Sequence, residues 1–420
     1  MTDQPTTTGP AAGRKAAFGF IFASAVMNAV SFGIMIPVLP NLIKQFAGGG
    51  FAEASRWNVL FAVTWGLMQF FSAPIMGLLS DRVGRRPVLL ISLFGLAVDF
   101  LFMALAPSLA WLYVGRVLNG MTAASFSTSG AYVADVTPGH ERAKAFGMLG
   151  SAFSFGFLIG PVLGGYLADT FTLRTPFFAA AALTGLNWLY GLFILPESLP
   201  PERRVTSFQW SKANPVGSLI FLKRHAELFA LATIGFLFQF AQTVLPSIFV
   251  LYAGYRYGWN PLAMGLTMAG TGVLGIFVQT AAVGPVVARI GERGALLLGC
   301  AGGALGFALY GFAPTGLFYI AVMPVFALLN FLQPGLQGLM TRRVGPSEQG
   351  QLQGASQSLQ GIASILGPAV FGSTFAWAVD HNATLHTPGL PIYIASATLG
   401  LAFLLGLRVA LTTPPLPAKA

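Results

Sequence analysis

Long apolar stretches separated by short polar breaks run along almost the whole chain. A helix needs about 20 mostly apolar residues to cross the apolar core of a membrane, and each stretch is close to that length. The stretches lie at residues 16–40, 54–79, 88–106, 109–133, 142–168, 176–195, 226–252, 261–287, 295–313, 316–340, 349–379 and 388–411. The pattern therefore predicts an all-α membrane protein with twelve transmembrane helices.

The longest internal polar break runs from Pro196 to Arg224 and divides the stretches into two sets of six. Two copies of six spans keep the same topology, and such repeats can enclose a central cavity between them. The predicted segments are a cytoplasmic tail (1–15), a six-helix bundle (16–195), a cytoplasmic linker (196–225), a second bundle (226–411) and a cytoplasmic tail (412–420). We expect the two bundles to be pseudo-symmetric and to rock about a site at mid-membrane depth.

A short basic turn between the second and third stretches recurs in the second half of the chain. A shift of 207 positions carries Gly77, Arg82, Gly84 and Arg86 onto Gly284, Arg289, Gly291 and Arg293. The same shift carries Gly160-Pro161 onto Gly367-Pro368 and Glu141 onto Glu348. One shift that matches three separated places indicates a duplicated chain.

Composition and charge agree with a membrane protein. The chain is 55% hydrophobic and 9% charged, with a mean hydropathy of +0.71 and a formal net charge of +10. With a cytoplasmic N-terminus, all but five of the basic residues face the cytoplasm. Lys44, Arg56, Arg174 and Arg256 face outward, and Arg116 lies within a span. This asymmetry is the positive-inside rule. It explains the charge without nucleic acid and places both termini in the cytoplasm.

Other site chemistry has little support in the sequence. Cys300 is the only cysteine, which excludes an intrachain disulfide and a cysteine-based metal site. The four histidines lack metal-ligand spacing, and no phosphate-binding loop is present. The apolar run behind the N-terminal tail is too long for a cleaved signal peptide. We therefore expect no metal, no cofactor and no enzymatic activity.

Several strings of residues resemble one transporter family over nearly the whole chain, most sharply up to about Glu197. The turn from Gly77 to Arg86 is similar to the loop 2–3 signature of the major facilitator superfamily. The string 112–120 (LYVGRVLNG) resembles its fourth-span motif, and 156–165 (GFLIGPVLGG) resembles the fifth-span pattern of its antiporters. The string 32–40 (FGIMIPVLP) resembles the first span of tetracycline exporters. The resemblance implies the major facilitator fold and a drug:proton antiporter.

The basic turn is interpreted as a cytoplasmic gate motif. Glycines at Gly77 and Gly84 allow close backbone approach and turns with positive φ. Asp81, among Arg82, Arg85 and Arg86, can form charge-assisted hydrogen bonds between the halves or to a helix N-terminus. The resemblance implies that this latch closes the cytoplasmic side of the outward-open state. The alternative is that the arginines only anchor the turn to anionic lipid.

The fifth-span motif has two interpretations. Gly156, Gly160 and Gly164 lie four residues apart on one helical face, where small residues allow close helix packing. Pro161 removes one backbone hydrogen bond and is expected to bend the helix. The full pattern with Gly165 is typical of antiporters and favours a functional role, whereas the spacing alone is equally consistent with packing.

Proton coupling is predicted to rest on Asp99, the only carboxylate deep within a span, and on Arg116, the only deep cation. Intramembrane acids are costly and indicate function by default. Both residues lie about eight positions from the turn near Pro107, so they are expected at similar depth. Burial disfavours the ionised carboxylate and a nearby arginine favours it, so movement of Arg116 would switch proton affinity. The alternative is a static structural ion pair.

The substrate site is less sharply defined. Tetracycline exporters carry an acidic residue where Asn28 stands, and this departure weakens the case for a magnesium-bound substrate, because a hard cation prefers charged oxygens. Amide side chains among aromatic residues suit an amphiphilic compound. The predicted substrate-binding residues are Asn28, Asn119, Gln239, Gln333 and Gln337. Helix packing is the alternative for each glutamine.

The sequence thus predicts a secondary efflux transporter, driven by the proton gradient, for a tetracycline-type or other amphiphilic drug. Its expected partners are this small molecule, protons and membrane lipid, with the protein a monomer in a bacterial-type inner membrane. One alternative is a metabolite facilitator or proton symporter of the same fold. A second is a receptor or scaffold that transports nothing.

Overall fold

The protein is helical throughout the described part of the chain. The computed structural model describes residues 11–122, 125–138, 141–205, 226–345 and 348–412. No strand occurs within these ranges. Most of the predicted linker, at 206–225, and the ends of both predicted tails, at 1–10 and 413–420, lie outside the described residues.

The described residues of the first half of the chain form eight α-helices. They are α1 (Ala11–Met35), α2 (Leu39–Phe46), α3 (Phe51–Val83), α4 (Arg85–Leu105), α5 (Leu109–Thr122), α6 (Ser125–Val136), α7 (Arg142–Thr170) and α8 (Thr175–Ile194). A short 3₁₀ helix follows at Pro201–Arg203.

The described residues of the second half, 226–345 and 348–412, form nine α-helices and two irregular turns. They are α9 (Ala226–Gln242), α10 (Val244–Tyr257), α11 (Pro261–Phe277), a π turn (Val278–Ala282), α12 (Val283–Phe312), α13 (Gly316–Ala327), a 3₁₀ turn (Leu328–Phe331), α14 (Leu332–Thr341), α15 (Gln349–Asp380), α16 (Asn382–Leu385) and α17 (Leu390–Thr412).

Ten helices among the described residues are long and apolar enough to cross a membrane. The stretch from Pro261 to Phe312 counts as one of them, although the backbone of α12 leaves the helical conformation at Gly291 (φ 72°, ψ 173°). The predicted fourth span corresponds to α5 and α6, which flank two residues outside the described part. If Pro261–Phe312 is counted as two spans, and α5 with α6 as one more, the ten helices become the twelve predicted spans. The predicted all-α membrane fold is confirmed.

The chain divides into two compact units. The first comprises the described residues within Met1–Met35 and Met68–Ala213, and the second those within Ile36–Leu67 and Asn214–Ala420. In the first unit α1 packs along α7 and α8, and α4 packs against α5, α6 and α8. In the second unit α12 packs against α14 and α17, and α9 packs against α15 and α17.

Candidate functional site

The intramembrane acid and the intramembrane arginine lie together in the first unit. Asp99 projects from α4 and Arg116 from α5, and Arg116 Nη1 lies 4.0 Å from Asp99 Oδ2. The Asp99 side chain is fully buried and that of Arg116 is 7% exposed. The turn that joins the two helices ends α4 at Leu105 and begins α5 at Leu109. This tight connection is why equal distances from the turn give equal depths.

A glycine beside Arg116 makes room for the carboxyl group. A Cβ atom at Gly115 would lie 2.8 Å from Asp99 Oδ1, closer than real Cβ atoms approach an oxygen. Asp99 therefore rests directly against the backbone of α5. On its other side Arg116 Nη1 donates a hydrogen bond to Met35 Sδ at 3.4 Å, which ties the pair to α1.

Two of the predicted substrate-binding residues lie in the same unit. Asn119, one turn after Arg116 on α5, is 2% exposed and interacts with Asp99. Asn28 is 4% exposed and precedes Met35 by seven residues, so the two share one face of α1. Arg116 thus contacts the face of α1 that also carries Asn28, and Asn119 adjoins Asp99.

The predicted glutamines lie in the second unit and form a separate group. Gln239 and Gln337 are half-buried, and Gln333 is exposed. A Cβ atom at Gly235 on α9 would lie 3.1 Å from Leu336 Cδ2 on α14, which brings these helices into contact. Gln239 follows Gly235 by four residues, and Gln333 precedes Leu336 by three. Because the seventh and tenth spans run antiparallel, both glutamines lie about one turn from that contact toward the same side of the membrane. Gln239 and Gln333 therefore lie at similar depth on neighbouring helices.

The fifth-span glycines pack against the backbone of α1. A Cβ atom at Gly160 would lie 2.6 Å from the Cα atom of Gly33. Cβ atoms at Gly156 and Gly164 would collide with Ala29 and with the carbonyl oxygen of Ile34. Pro161 and Gly165 are buried in the same helix, which runs unbroken from Arg142 to Thr170. Close helix packing is thus what these glycines provide in this structure.

The gate motif forms an ion-pair cluster at the end of α3 and the start of α4. Arg85 contacts Asp81 at 2.5 Å through Nη1 and Asp135 at 3.0 Å through Nε. Arg85 Nη1 also donates to Ser80 Oγ at 2.6 Å. The Arg85 side chain is 12% exposed. Asp135, at the end of α6, was not found by the sequence reasoning.

A carboxylate from the loop after α8 caps α4. The backbone N–H groups of Arg85 and Arg86 donate to Glu197 at 2.8 and 3.3 Å, and Arg204 lies 3.9 Å from the same carboxylate. A negative charge at a helix N-terminus is stabilised by the unpaired N–H groups and the helix dipole. The sequence reasoning allowed this role for Asp81; in the structure Glu197 fills it. No local sequence signal marks Glu197.

The remaining residues of the motif have distinct positions. Gly84 adopts φ 112°, and a Cβ atom there would collide with the Glu197 carboxylate. Arg86 Nη2 donates to the carbonyl oxygen of Leu192 at 2.7 Å, and Arg82 is exposed. Gly77 lies within α3, and apart from its chain neighbours and the adjoining backbone of α3 no described atom comes within 4 Å of a Cβ placed there. The close approach expected at Gly77 is therefore absent in the described part of the chain.

The second copy of the turn repeats this geometry with the charges exchanged. Gly291, the counterpart of Gly84, also has a positive φ, 72°. The shift of 207 positions carries Arg85 onto Glu292 and Asp135 onto Arg342. Glu292 and Arg342 form an ion pair. The shift was a signal that could have identified both pairs in advance.

Comparisons with known proteins agree with this arrangement. Residues 21–368 match the family described as the Major Facilitator Superfamily. The chain is 38% identical to the tetracycline resistance protein, class C, of Escherichia coli, over 85% of this chain and 89% of that protein. It is 33% identical to the class H protein of Pasteurella multocida, over 86% of this chain and 89% of that protein.

Solved structures show the same fold. The human organic anion transporter MFSD10 superposes with a TM-score of 0.68 at 23% identity, covering 95% of this chain and all of that one. The nucleoside transporter NupG superposes with a TM-score of 0.73 at 14% identity, covering 94% and 99% of the two chains.

Proposed function

The chain belongs to the Major Facilitator Superfamily, and from this premise we propose that it exports a tetracycline-type amphiphilic drug in exchange for protons. It is a multi-pass membrane protein of a transporter family with a small-molecule substrate. Proton-coupled drug efflux agrees with its similarity to several tetracycline resistance proteins. The observation that carries the coupling mechanism is the buried Asp99–Arg116 pair.

The pair supplies a simple switch. With Arg116 at 4.0 Å, an ionised Asp99 is compensated by the guanidinium group. If a conformational change withdraws Arg116, the buried carboxylate loses its compensation and binding of a proton becomes favourable. Return of Arg116 then expels the proton. Exchange requires that Asp99 take its proton from the outside and release it to the cytoplasm while the drug travels the other way.

The substrate class follows from the relatives and from the polar groups near the pair. The relatives are named for tetracycline resistance, so tetracycline is the first compound to test. Amides at Asn28 and Asn119 can hydrogen-bond a neutral or cationic solute. They lack the charge that a bound magnesium ion would prefer. We therefore propose that these amides, with Gln239, Gln333 and Gln337, contact the drug without a metal ion.

The arrangement in the membrane is part of the proposal. The charge asymmetry supports cytoplasmic termini, and the duplicated turn supports two bundles, at 16–195 and 226–411, that work by alternating access. The cluster around Arg85 then acts as a cytoplasmic latch. The alternative role of lipid anchoring needs neither Asp81 nor the Glu197 cap. The protein is proposed to act as a monomer.

Inverted membrane vesicles with an acidic interior test the proposal directly. We expect wild-type vesicles to accumulate tetracycline only while the pH gradient lasts. Asp99→Asn should abolish drug-driven proton flux, because an amide cannot exchange a proton. Asp169→Asn, at the exposed end of α7, is the matched control and should behave as wild type. Unchanged proton flux in Asp99→Asn would remove Asp99 from the mechanism, and uptake independent of the gradient would indicate a facilitator.

A further inference from the structure

Two buried hydroxyl groups lie between the cytoplasmic cluster and the intramembrane pair. Ser92 on α4 is 2% exposed and Thr128 on α6 is 1% exposed. Neither Ser92 Oγ nor Thr128 Oγ1 has a hydrogen-bond partner among the described residues. Serine and threonine in a membrane helix usually satisfy their hydroxyls on the carbonyl one turn back. Leaving a buried hydroxyl unpaired costs free energy. A hydrogen-bonding partner at each hydroxyl would remove this cost.

Helix register places the two hydroxyls on facing surfaces. Ser92 lies seven residues after Arg85 and Thr128 seven residues before Asp135. Seven residues are nearly two turns, so each hydroxyl shares a helix face with its charged neighbour. The Arg85–Asp135 contact at 3.0 Å joins these two faces, and α4 packs against α6. Ser92 and Thr128 therefore face the same interface, about 10 Å inside the cluster.

The same line continues to the intramembrane acid. Asp99 follows Ser92 by another seven residues, so Arg85, Ser92 and Asp99 form one stripe along α4. On the opposite side Asn119 lies one turn closer to the cytoplasm than Arg116, between that arginine and Thr128. Polar groups thus run from mid-membrane depth to the partly exposed carboxylates of Asp81 and Asp135. Leu89 and Leu96 are the apolar residues that interrupt the stripe on α4.

We propose that water molecules held by the Ser92 and Thr128 hydroxyls relay protons between Asp99 and the cytoplasmic cluster. A buried water needs two to four polar partners, and two facing hydroxyls supply donors and acceptors for it. In each transfer a hydroxyl accepts one proton and releases its own, so both side chains stay neutral. The net result is one proton moved between the Asp99 carboxyl group and the cytoplasm. This relay rests on the proposed function of Asp99.

The charged groups around the relay limit where it can end. Arg116 faces Asp99 from α5, while Arg85, Asp81 and Asp135 surround the cytoplasmic end, where Glu197 caps α4. Arginine does not release its proton under physiological conditions. The two aspartates are acceptors in contact with solvent, so they form the exit.

Infrared spectroscopy of the full-length protein tests the relay without a substrate. The protein is reconstituted in liposomes with its cytoplasmic face outward, and the external pH is lowered in a stopped-flow mixer. The carboxyl C=O band that disappears in Asp99→Asn reports protonation of Asp99. We expect Ser92→Ala and Thr128→Val each to slow the appearance of this band about a hundredfold, because a positioned proton-transfer group contributes about 10²–10⁴-fold. The double variant should be slowed by a similar factor, because either substitution interrupts the same relay.

Matched variants separate the relay from a packing effect. Ser92→Thr and Thr128→Ser keep a hydroxyl and should retain the wild-type rate. Thr184→Val removes another buried, unpaired hydroxyl of the same unit, on α8, and should leave the rate unchanged. The final amplitude of the Asp99 carboxyl band should be equal in all variants that keep Asp99.

The outcomes distinguish this inference from the proposed function. Wild-type rates in Ser92→Ala and Thr128→Val, with a band that Asp99→Asn removes, would overturn the relay and leave Asp99 as the coupling residue. Equal slowing by Thr184→Val would also overturn it. If Asp99→Asn removes no titrating band, Asp99 exchanges no proton, and both the coupling role and the relay fail.

Discussion

The two turns, Gly77–Arg86 and Gly284–Arg293, have the same geometry and different chemistry. Each has a glycine with positive φ, and each is followed by a charged residue that pairs with the end of a later helix. In the first turn the basic Arg85 pairs with the acidic Asp135. In the second turn the acidic Glu292 pairs with the basic Arg342. Both turns therefore have a charge pair at equivalent positions, with the sign at each position reversed.

The first turn carries additional carboxylates that the second lacks. Asp81 contacts Arg85 and Glu197 caps α4, while the same shift leads to Ala288 and Leu404 in the second half. Arg85 therefore has two acidic partners and Glu292 one basic partner among those that the structure identifies. We infer that the first turn is fixed more strongly, as a latch requires, and that the second mainly joins two helices.

Alanine at the two glycines should give the largest difference between the turns. The conformation at Gly84 and Gly291 is almost restricted to glycine and costs other residues about 1–3 kcal/mol. Gly84→Ala also displaces Glu197 from the N-terminus of α4, which adds the loss of charge-assisted hydrogen bonds worth about 1.5–3 kcal/mol. Thermal unfolding of the purified variants would measure both. Equal destabilisation would show that the Glu197 cap contributes nothing.

Removal of the central charge of each turn should have a smaller but still unequal effect. Arg85→Ala removes charge-assisted hydrogen bonds to two partly exposed carboxylates, Asp81 and Asp135, and is expected to cost about 1.5–3 kcal/mol. Glu292→Ala leaves only a partly exposed arginine, Arg342, and should cost about 1 kcal/mol or less. Drug efflux from intact cells should fall more for Arg85→Ala. A larger loss in Glu292→Ala would assign the latch to the second turn.

Giving the second turn the same charge arrangement as the first turn should have the smallest effect on stability. The double variant Glu292→Arg with Arg342→Glu keeps the ion pair and should change stability by less than about 1 kcal/mol. In that background Ala288→Asp supplies the counterpart of Asp81 and should stabilise the protein by about 0.2–1 kcal/mol. In the wild type the same Ala288→Asp should destabilise it, because it places two acids together. If Ala288→Asp changed the free energy of unfolding in the same direction in both backgrounds, position 288 would not be equivalent to Asp81.

The sequence predicted the intramembrane pair because depth can be counted along the chain. Asp99 and Arg116 flank a tight turn at nearly equal distances, and helices on both sides of such a turn must be neighbours. The role of Gly115 could not be predicted in the same way. Only the rotation of α4 and α5 about their axes shows that the Asp99 carboxyl group rests against that glycine.

Tertiary packing also decided which interpretation of the fifth-span glycines has structural support. Their spacing fixes one helical face, but it does not say what lies opposite. The structure places α1 there, so closely that Gly160 and Gly33 exclude side chains from each other. A functional role of these glycines in antiport stays a prediction, since it concerns movement between states.

The sequence by itself determined the helical spans and the equal depth of Asp99 and Arg116 on neighbouring helices, because apolar length and residue spacing are local properties of the chain. The partners of Glu197, Asp135 and Arg342 were decided only by the tertiary structure. A side chain's partner depends on which helices are neighbours and how each is rotated. Both are set by packing between segments far apart in the chain.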